Sequence, residues 1–421
     1  MRRSALRSGL HMRKRIFLIF MRVLLTLAAC GGRQNDAPPA SDAPAAVQEE
    51  QQTAVPPVAD EPSEPAEQPE EPEPEPGAAL VQQLLQGMTL EQKVGQLFFV
   101  HCAASGLEEK ITQYHLGGVL LFTRDYKDGN GEWLTKDVVV DKLVNYQRQS
   151  GEDTGIPLFI GSDEEGGSVT RASRNPNIFE QKQPSPQGLY KIGSLQGLLE
   201  KTKQFNRELS TIGINVNFAP VADVSTDPQD FIYDRSFGQG AAETMAYVMG
   251  AVTVMREAGI GSVLKHFPGY GSNVDTHMGI AVDERPMETF RASDFLPFQG
   301  GIRAGAPFVL VSHNVVTCMD DTLPASLSPA VHELLRGELG FDGVILTDDL
   351  SMGAVKEYAK DGSAAVLALL AGNDMVVTAD FENQIPQVYA AVEDGTLDES
   401  LIDAAVTRVL TAKYQLGLLG E

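Results

Sequence analysis

Two histidines, a lysine and an aspartate fall within one glycine-containing stretch, LKHFPGYGSNVDTHMGI, from Leu264 to Ile280. The whole chain has only seven histidines, so two in a segment this short point to a chemical role. Imidazole exchanges protons near neutral pH, and an ionised aspartate beside it can fix its tautomer. The stretch is therefore a candidate for proton transfer.

Further reactive side chains follow short apolar runs that are typical of buried strands. They are Asp163 after LFIGS, Asp223 after APVA, Lys265 and His266 after SVL, His313 after LVS, and Asp348 and Asp349 after VILT. In an α/β barrel, catalytic groups lie at the C-terminal ends of the strands, so we predict that these residues share one active site. The alternative is that each aspartate only caps the helix that follows it.

The residue types in this set limit the chemistry. They are carboxylates, imidazoles and cations, and no GxSxG nucleophile elbow accompanies them. The first predicted strand offers only His101 as a ligand, so we predict neither a catalytic metal nor another cofactor. An ionised aspartate can attack an electrophilic carbon when another group protonates the leaving oxygen. That chemistry is typical of glycoside hydrolysis.

Eight apolar segments, each separated from the next by a longer stretch, must position these residues. The predicted strands are GQLFFVH, GGVLLFT, PLFIGSD, INVNFAPVAD, GSVLKH, APFVLVSH, GVILTDD and DMVVTAD. Near-continuous apolar strands alternating with amphipathic helices predict a parallel sheet covered on both faces. Eight repeats favour a (β/α)8 TIM barrel over a doubly wound sheet, whose glycine-rich phosphate turn is missing after the first strand. Before that strand, TLEQ at Thr89–Gln92 predicts a helix capping box.

Residues 1–30 have the layout of a secretory signal. They carry seven Lys or Arg and no acid, and an apolar run leads to small residues and Cys30. The sequence LAAC resembles the lipobox of bacterial lipoproteins, in which the signal is cut before the cysteine and the thiol is lipidated. We therefore predict lipidation at Cys30. The alternative is a plain signal peptide that ends in an incidental cysteine.

Residues 31–77 are rich in Pro, Glu, Ala and Gln, and they end in EPSEPAEQPEEPEPEPG. Such a segment cannot bury enough apolar surface to offset the entropy of ordering, so we predict a disordered tether. With a lipid at Cys30, it would hold one catalytic domain, residues 78–421, at the extracytoplasmic face of the cell membrane. The formal net charge of −24 argues against nucleic acid as a partner.

The stretch KHFPGYGSNVDTH resembles the signature of glycoside hydrolase family 3, in its β-N-acetylhexosaminidase subgroup. The motifs DEEGGSVTR, GINVNFAPVADV, DRSFG and FDGVILTDDLSM occur in the order typical of that family. The resemblance implies a TIM barrel and a retaining hydrolase that removes terminal β-linked N-acetylglucosamine. The chain departs from the usual signature at Tyr270, where the family has His, and at Ser168, where it has Arg.

The resemblance also implies a role for each matching residue. Asp348 corresponds to the nucleophile, His277 to the general acid/base and Asp275 to the partner of His277. The residues that correspond to ligands of the sugar hydroxyls and acetamide are Asp163, Arg171, Arg235, Lys265 and His266. Glycines at 269, 271 and 279 raise the hypothesis that the loop carrying His277 moves during catalysis.

Two other functions stay open from the sequence. A β-glucosidase of the wider family is one, although such enzymes usually carry a second α/β domain that donates a carboxylic acid. A non-catalytic sugar-binding lipoprotein is the other, and it would have two lobes. An anchored extracytoplasmic enzyme points to peptidoglycan fragments as substrate, and chitin fragments and host glycans are the alternatives. The single tryptophan, Trp133, is either a platform for the leaving group or a core anchor.

Overall fold

The computed structural model describes residues 77–103, 105–273, 281–356, 358–359 and 363–420. Eight parallel strands form one sheet in the order β10-β1-β2-β3-β4-β5-β7-β9. They are β1 (Phe98–His101), β2 (Gly118–Leu121), β3 (Phe159–Ser162), β4 (Val216–Asn217), β5 (Gly261–Phe267), β7 (Phe308–Val311), β9 (Val344–Thr347) and β10 (Val376–Thr378). A parallel bridge between Leu346 and Met375 joins β9 to β10 and closes the sheet. The predicted (β/α)8 barrel is confirmed.

A separate pair of short strands lies outside the barrel sheet. In it, β6 (Val282–Asp283) runs parallel to β8 (Val315–Val316). Both strands follow C-terminal ends of barrel strands, β6 after β5 and β8 after β7. This two-stranded ribbon therefore belongs to the end of the barrel where the predicted active-site residues fall.

Helices occupy the connections between the strands. In the described part of the chain they are α1 (Ala78–Gly87), α2 (Leu90–Gln96), α3 (Leu107–Tyr114), α4 (Lys136–Thr154), α5 (Pro186–Ile192), α6 (Leu195–Ser210), α7 (Ala241–Arg256), α8 (Met287–Thr289), α9 (Phe295–Arg303), α10 (Pro329–Glu333), α11 (Gly353–Lys356), α12 (Ala364–Ala371), α13 (Phe381–Glu393) and α14 (Glu399–Gln415). The predicted capping box is confirmed at α2: the Gln92 N–H donates to Thr89 Oγ1, and the Thr89 N–H donates to Gln92 Oε1. No described helix is long and apolar enough to span a bilayer.

The fourth strand is much shorter than the predicted segment INVNFAPVAD. Only Val216–Asn217 is regular strand, because Pro220 has no N–H to donate to a neighbouring strand. Pairing resumes at a bridge between Val221 and Lys265, and the Ala222 N–H donates to the Lys265 carbonyl oxygen. The chain thus stays beside β5 up to Asp223, the last residue of the predicted segment.

Aromatic rings from several strands fill the barrel interior. The ring of Phe99 packs edge-on against Phe218 at 5.2 Å, and that of Phe159 packs edge-on against Phe308 at 5.1 Å. Gly161 makes room for this layer, because a Cβ there would lie 2.8 Å from the rings of Phe99 and Phe218. Since the interior is packed, a ligand must bind at an end of the barrel.

Candidate active site

A cavity of about 410 Å³ opens at the C-terminal ends of the strands. Seven of the predicted site residues line it, namely Asp163, Arg171, Arg235, Lys265, His266, Asp348 and Asp349. They come from β5 and from the segments that follow β3, β4 and β9, so the barrel brings together residues such as Asp163 and Asp348, which are 185 positions apart in the printed sequence. The predicted residues Asp275, His277 and Cys30 lie outside the described residues.

Lys265 is the centre of the charged wall of the cavity. Its Nζ lies 2.8 Å from Asp163 Oδ1 and 2.6 Å from Glu165 Oε1. Arg235 grips Glu165 with two bonds, from Nε at 3.0 Å and from Nη2 at 2.8 Å. Arg171 Nη2 lies 3.4 Å from Asp163 Oδ2. Two carboxylates and three cations therefore alternate along one side of the cavity.

Burial and charge oppose each other in this wall. Burial disfavours the ionised form of Asp163, but the ammonium of Lys265 and the guanidinium of Arg171 outweigh it and lower the pKa of this carboxyl. The pKa of Glu165 is lowered further, because Arg235 and Lys265 both offset its burial. Burial likewise disfavours the charged form of Lys265, yet its two carboxylates raise the pKa of the ammonium. All three groups are therefore charged at neutral pH.

His266 is held in one tautomer. Arg235 Nη2 lies 3.0 Å from His266 Nε2, and because a guanidinium only donates, Nε2 must accept. The proton is then on Nδ1, which donates to Asp223 Oδ2 at 2.7 Å. Asp223 also accepts from the backbone N–H of His266 and, through Oδ1, from that of Tyr270 at 2.7 Å. One buried carboxylate thus fixes both the ring of His266 and the start of the following loop.

Asp348 lies directly after β9, on the cavity wall. Its backbone N–H donates to the Val311 carbonyl oxygen, which extends the pairing with β7 by one residue. Its Oδ1 accepts a hydrogen bond of 2.8 Å from the Asp349 N–H. The main chain therefore sets the orientation of this carboxylate.

Both carboxylate oxygens of Asp349 have a partner in the protein. Its Oδ1 accepts from the Ser351 N–H at 2.8 Å and so closes a local turn before α11, which begins only at Gly353. His101 Nε2 lies 3.2 Å from Asp349 Oδ2, although the ring N–H is not aligned for a hydrogen bond. Burial opposes ionisation of Asp349, but His101 and the turn outweigh it and lower its pKa. His313 is buried outside the cavity lining and reaches the Asp349 carbonyl oxygen at 3.1 Å.

Sequence reasoning missed several residues that line or support the cavity. Glu165 stands in the quoted motif DEEGGSVTR, and its signal was a third acid after a buried strand. Asp223 was recognised as a strand-end residue but not as the partner of His266. The aromatic lining residues Phe122, Phe231 and Tyr270 gave no spacing signal, because they come from three separate loops.

Trp133 does not line this cavity. Its ring lies under Lys127 Nζ at 4.4 Å from the ring centroid, and the residue packs partly buried against the main core. Of the two predicted roles, the packing is that of a core anchor.

Fold and site together define an α/β-barrel enzyme with a carboxylate-lined cavity that suits a polyhydroxylated substrate. The model of the glycosyl hydrolase family 3 N-terminal domain matches residues 89–412. The β-hexosaminidase LpqI of Mycobacterium tuberculosis is 32% identical over 333 residues, which are 76% of this chain and 82% of that protein. The chain belongs to glycosyl hydrolase family 3 and is a glycoside hydrolase.

Two solved structures extend the comparison. A family 3 β-N-acetylglucosaminidase from Paenibacillus is 32% identical with a TM-score of 0.72, and the match covers 79% of this chain and 64% of that one. The β-N-acetylhexosaminidase of Beutenbergia cavernae is 32% identical with a TM-score of 0.68, covering 78% of this chain and 99% of that one. This chain thus spans less than two thirds of the Paenibacillus protein and nearly all of the Beutenbergia one.

Proposed function

We propose that this protein is a retaining β-N-acetylhexosaminidase that removes terminal β-linked N-acetylglucosamine through a covalent glycosyl–Asp348 intermediate. The observation that carries the proposal is the position of Asp348, which shares one cavity with the ordered wall around Lys265. This reaction requires a nucleophile and preformed hydrogen-bonding groups around a space of about one monosaccharide.

The wall around Lys265 binds the sugar in this proposal. Asp163 is charged and only partly buried, so its carboxylate accepts hydrogen bonds from sugar hydroxyls. Arg171 also lines the cavity, and its Nη2 lies 3.4 Å from Asp163 Oδ2, so its guanidinium can donate to an oxygen of a sugar bound beside Asp163. Because Lys265 and Arg235 are already fixed by Glu165, little reorganisation is needed when the substrate enters.

Catalysis follows the double displacement of retaining glycosidases. Asp348 attacks the anomeric carbon through Oδ2, while Oδ1 keeps its bond to the Asp349 N–H. The glycosidic C–O bond breaks, and His277 gives its proton to the leaving oxygen. Water then adds to the anomeric carbon, His277 takes back a proton, and the bond to Asp348 breaks. Asp275 stabilises the imidazolium form of His277 in this scheme.

Trapping the intermediate tests the central step. A 5-fluoro N-acetylglucosaminyl donor with a good leaving group should label the protein, and peptide mass spectrometry should place the adduct on Asp348. A label on another residue, or turnover through an oxazoline formed by the substrate's own acetamide, would overturn the assignment. Hydrolysis of p-nitrophenyl N-acetyl-β-glucosaminide must also exceed that of the β-glucoside, since the reverse would identify a β-glucosidase.

We further propose that the substrate is a peptidoglycan fragment and that Cys30 carries a lipid. The support is the sequence alone: a lipobox-like LAAC followed by an acidic, proline-rich tether. Release of N-acetylglucosamine from purified muropeptides would support the substrate. Replacement of Cys30 by Ser should move the protein from the membrane fraction to the soluble fraction, and unchanged membrane association would contradict the anchor.

A further inference from the structure

A buried ion cluster stands next to the segment that carries the proposed acid/base. We call Asp283, Arg285 and Asp294 the Arg285 cluster. Arg285 Nη2 lies 2.8 Å from Asp283 Oδ2, and Arg285 Nη1 lies 3.0 Å from Asp294 Oδ1. The two carboxylates are 3% and 1% exposed, respectively, and the Arg285 side chain that joins them is 27% exposed. None of the three residues lines the catalytic cavity.

The cluster holds the chain on the N-terminal side of residues 274–280. Asn273 Nδ2 donates to Asp283 Oδ2 at 3.0 Å and to the Tyr270 carbonyl oxygen at 2.9 Å. Gly271 lies against the guanidinium, where a Cβ would come within 2.6 Å of Arg285 Nη2. Gly269 lies equally close to Asp294, where a Cβ would be 2.5 Å from Oδ1. Both glycines have positive φ, so a larger residue would be strained as well as crowded.

The same cluster holds the chain on the C-terminal side. Asp283 is the second residue of β6, and its backbone carbonyl oxygen accepts from the Thr317 N–H at 2.9 Å. Ala281 is bound in the same way by the Val315 N–H at 2.9 Å. One carboxylate, that of Asp283, therefore links Asn273 on one side of the segment to the β6–β8 ribbon on the other.

We propose that the Arg285 cluster, together with Asn273, positions the proton donor for catalysis by fixing both ends of the segment that carries Asp275 and His277. These are positioning residues, because none of them touches the cavity. The inference rests on the proposed role of His277. Its physical basis is that proton transfer needs the imidazole within hydrogen-bond reach of the leaving oxygen, and two fixed ends restrict where the imidazole can be.

Leaving-group chemistry separates this role from a merely structural one. A 2,4-dinitrophenolate leaves without protonation, whereas the sugar alcohol of N,N′-diacetylchitobiose needs a proton. We measure kcat/KM, because it reports only the first displacement and not the later attack of water. Asn273→Ala removes one donor from Asp283 without creating a buried charge. It should lower kcat/KM for chitobiose about 10- to 100-fold and change that for the dinitrophenyl glycoside by less than about threefold.

A second cluster variant and a surface control show whether the selective loss is specific to the cluster. Arg285→Lys keeps the charge but cannot bind Asp283 and Asp294 through separate nitrogens, so it should show the same selective loss of kcat/KM for chitobiose. Arg291→Lys is the control, because Arg291 makes a comparable two-bond pair with Glu338 on the exposed surface nearby. It should leave both substrates unaffected. If Arg285→Lys does not fold, as judged by thermal unfolding, Asn273→Ala alone decides.

Two results would count against the proposal in different ways. Equal losses on both substrates, or no loss on either, in a folded Asn273→Ala protein would overturn the positioning role. His277→Ala is assayed in parallel and should itself show the selective loss. If His277→Ala lacks that selectivity, the proposed acid/base assignment fails, whatever the cluster variants do.

Discussion

Lys265 Nζ lies 2.6 Å from Glu165 Oε1, although the two residues are 100 positions apart in the sequence and both are almost fully buried. Glu165 also binds Arg235, and Lys265 also binds Asp163. The charged wall of the cavity is therefore formed without a ligand. Burying several charges costs desolvation free energy, and the ion pairs offset this only while every partner is present.

Replacing Lys265 by Met should destabilise the protein by about 3–5 kcal/mol, because Asp163 and Glu165 would lose a buried cation. Urea unfolding at neutral pH measures this. Lys93→Met is the matched control: Lys93 pairs with Glu399 and Asp403, which are 54% and 39% exposed, and such surface pairs contribute about 1 kcal/mol or less. Equal effects of the two substitutions would contradict the view that Lys265 compensates buried charge.

Asp348 and Asp349 offer a direct comparison of two adjacent acids. Asp348→Asn should lower kcat by at least about 10³-fold with little change in melting temperature, since it removes the proposed nucleophile and keeps the shape of the side chain. Asp349→Asn should lower the melting temperature, because Asp349 accepts a hydrogen bond from the Ser351 N–H and lies beside His101. It should reduce kcat far less than Asp348→Asn does. If Asp349→Asn were the more damaging to kcat, the nucleophile would have to be reassigned.

Glu164 should make stability fall as pH rises. It is almost fully buried, and burial raises the pKa of this carboxyl from 4.5 to about 7, despite bonds from Ser173 and the Arg171 N–H. Between these two values the folded state holds a proton that the unfolded state releases. The free energy of unfolding should therefore fall by about 3 kcal/mol as Glu164 ionises between about pH 5 and about pH 8.

Glu164→Gln tests this window, because the amide has a similar shape and does not titrate. Its urea-unfolding free energy should be flatter than that of the wild type from about pH 5 to about pH 8. Asp163 and Glu165 behave in the opposite sense, since their pKa values are lowered. They stabilise the fold above the unfolded-state pKa of about 4, and this contribution is lost only as pH falls below it. Parallel curves for the variant and the wild type would refute the prediction.

Phe231 is the exposed aromatic side chain of the cavity lining. It is 40% exposed, and its ring centroid lies 5.6 Å from that of Tyr270. We expect it to cover the apolar face of the substrate, so Phe231→Ala should raise KM for chitobiose about 5- to 10-fold. Trp133→Phe is the control and should leave KM unchanged, because Trp133 lies outside the cavity. Steady-state kinetics of both variants measures the two KM values. A larger increase in KM for Trp133→Phe than for Phe231→Ala would assign the substrate contact to Trp133 instead.

The barrel was predictable because each strand is an apolar run with a recognisable break after it. The convergence of Asp163, Lys265 and Asp348 followed from one rule of barrel geometry, without any pairwise information. Glu165 was not predictable in this way, since the run of three acids does not say that Glu165 joins Asp163 at Lys265 while Glu164 binds Ser173. The extent of the fourth strand was overestimated, because apolar composition alone did not reveal the interruption at Pro220.

The bond between Asp223 Oδ1 and position 270 uses a main-chain N–H, a donor that every amino acid except proline supplies. This bond therefore does not depend on the side chain at position 270, and the ring of His266 is bound by the other oxygen of the same carboxylate. The Tyr270 ring still contacts the His266 ring edge-on, with the ring centroids 5.7 Å apart. Residue 270 also lines the cavity, so a substitution there changes the shape of the cavity while the bond from its main chain to Asp223 is kept.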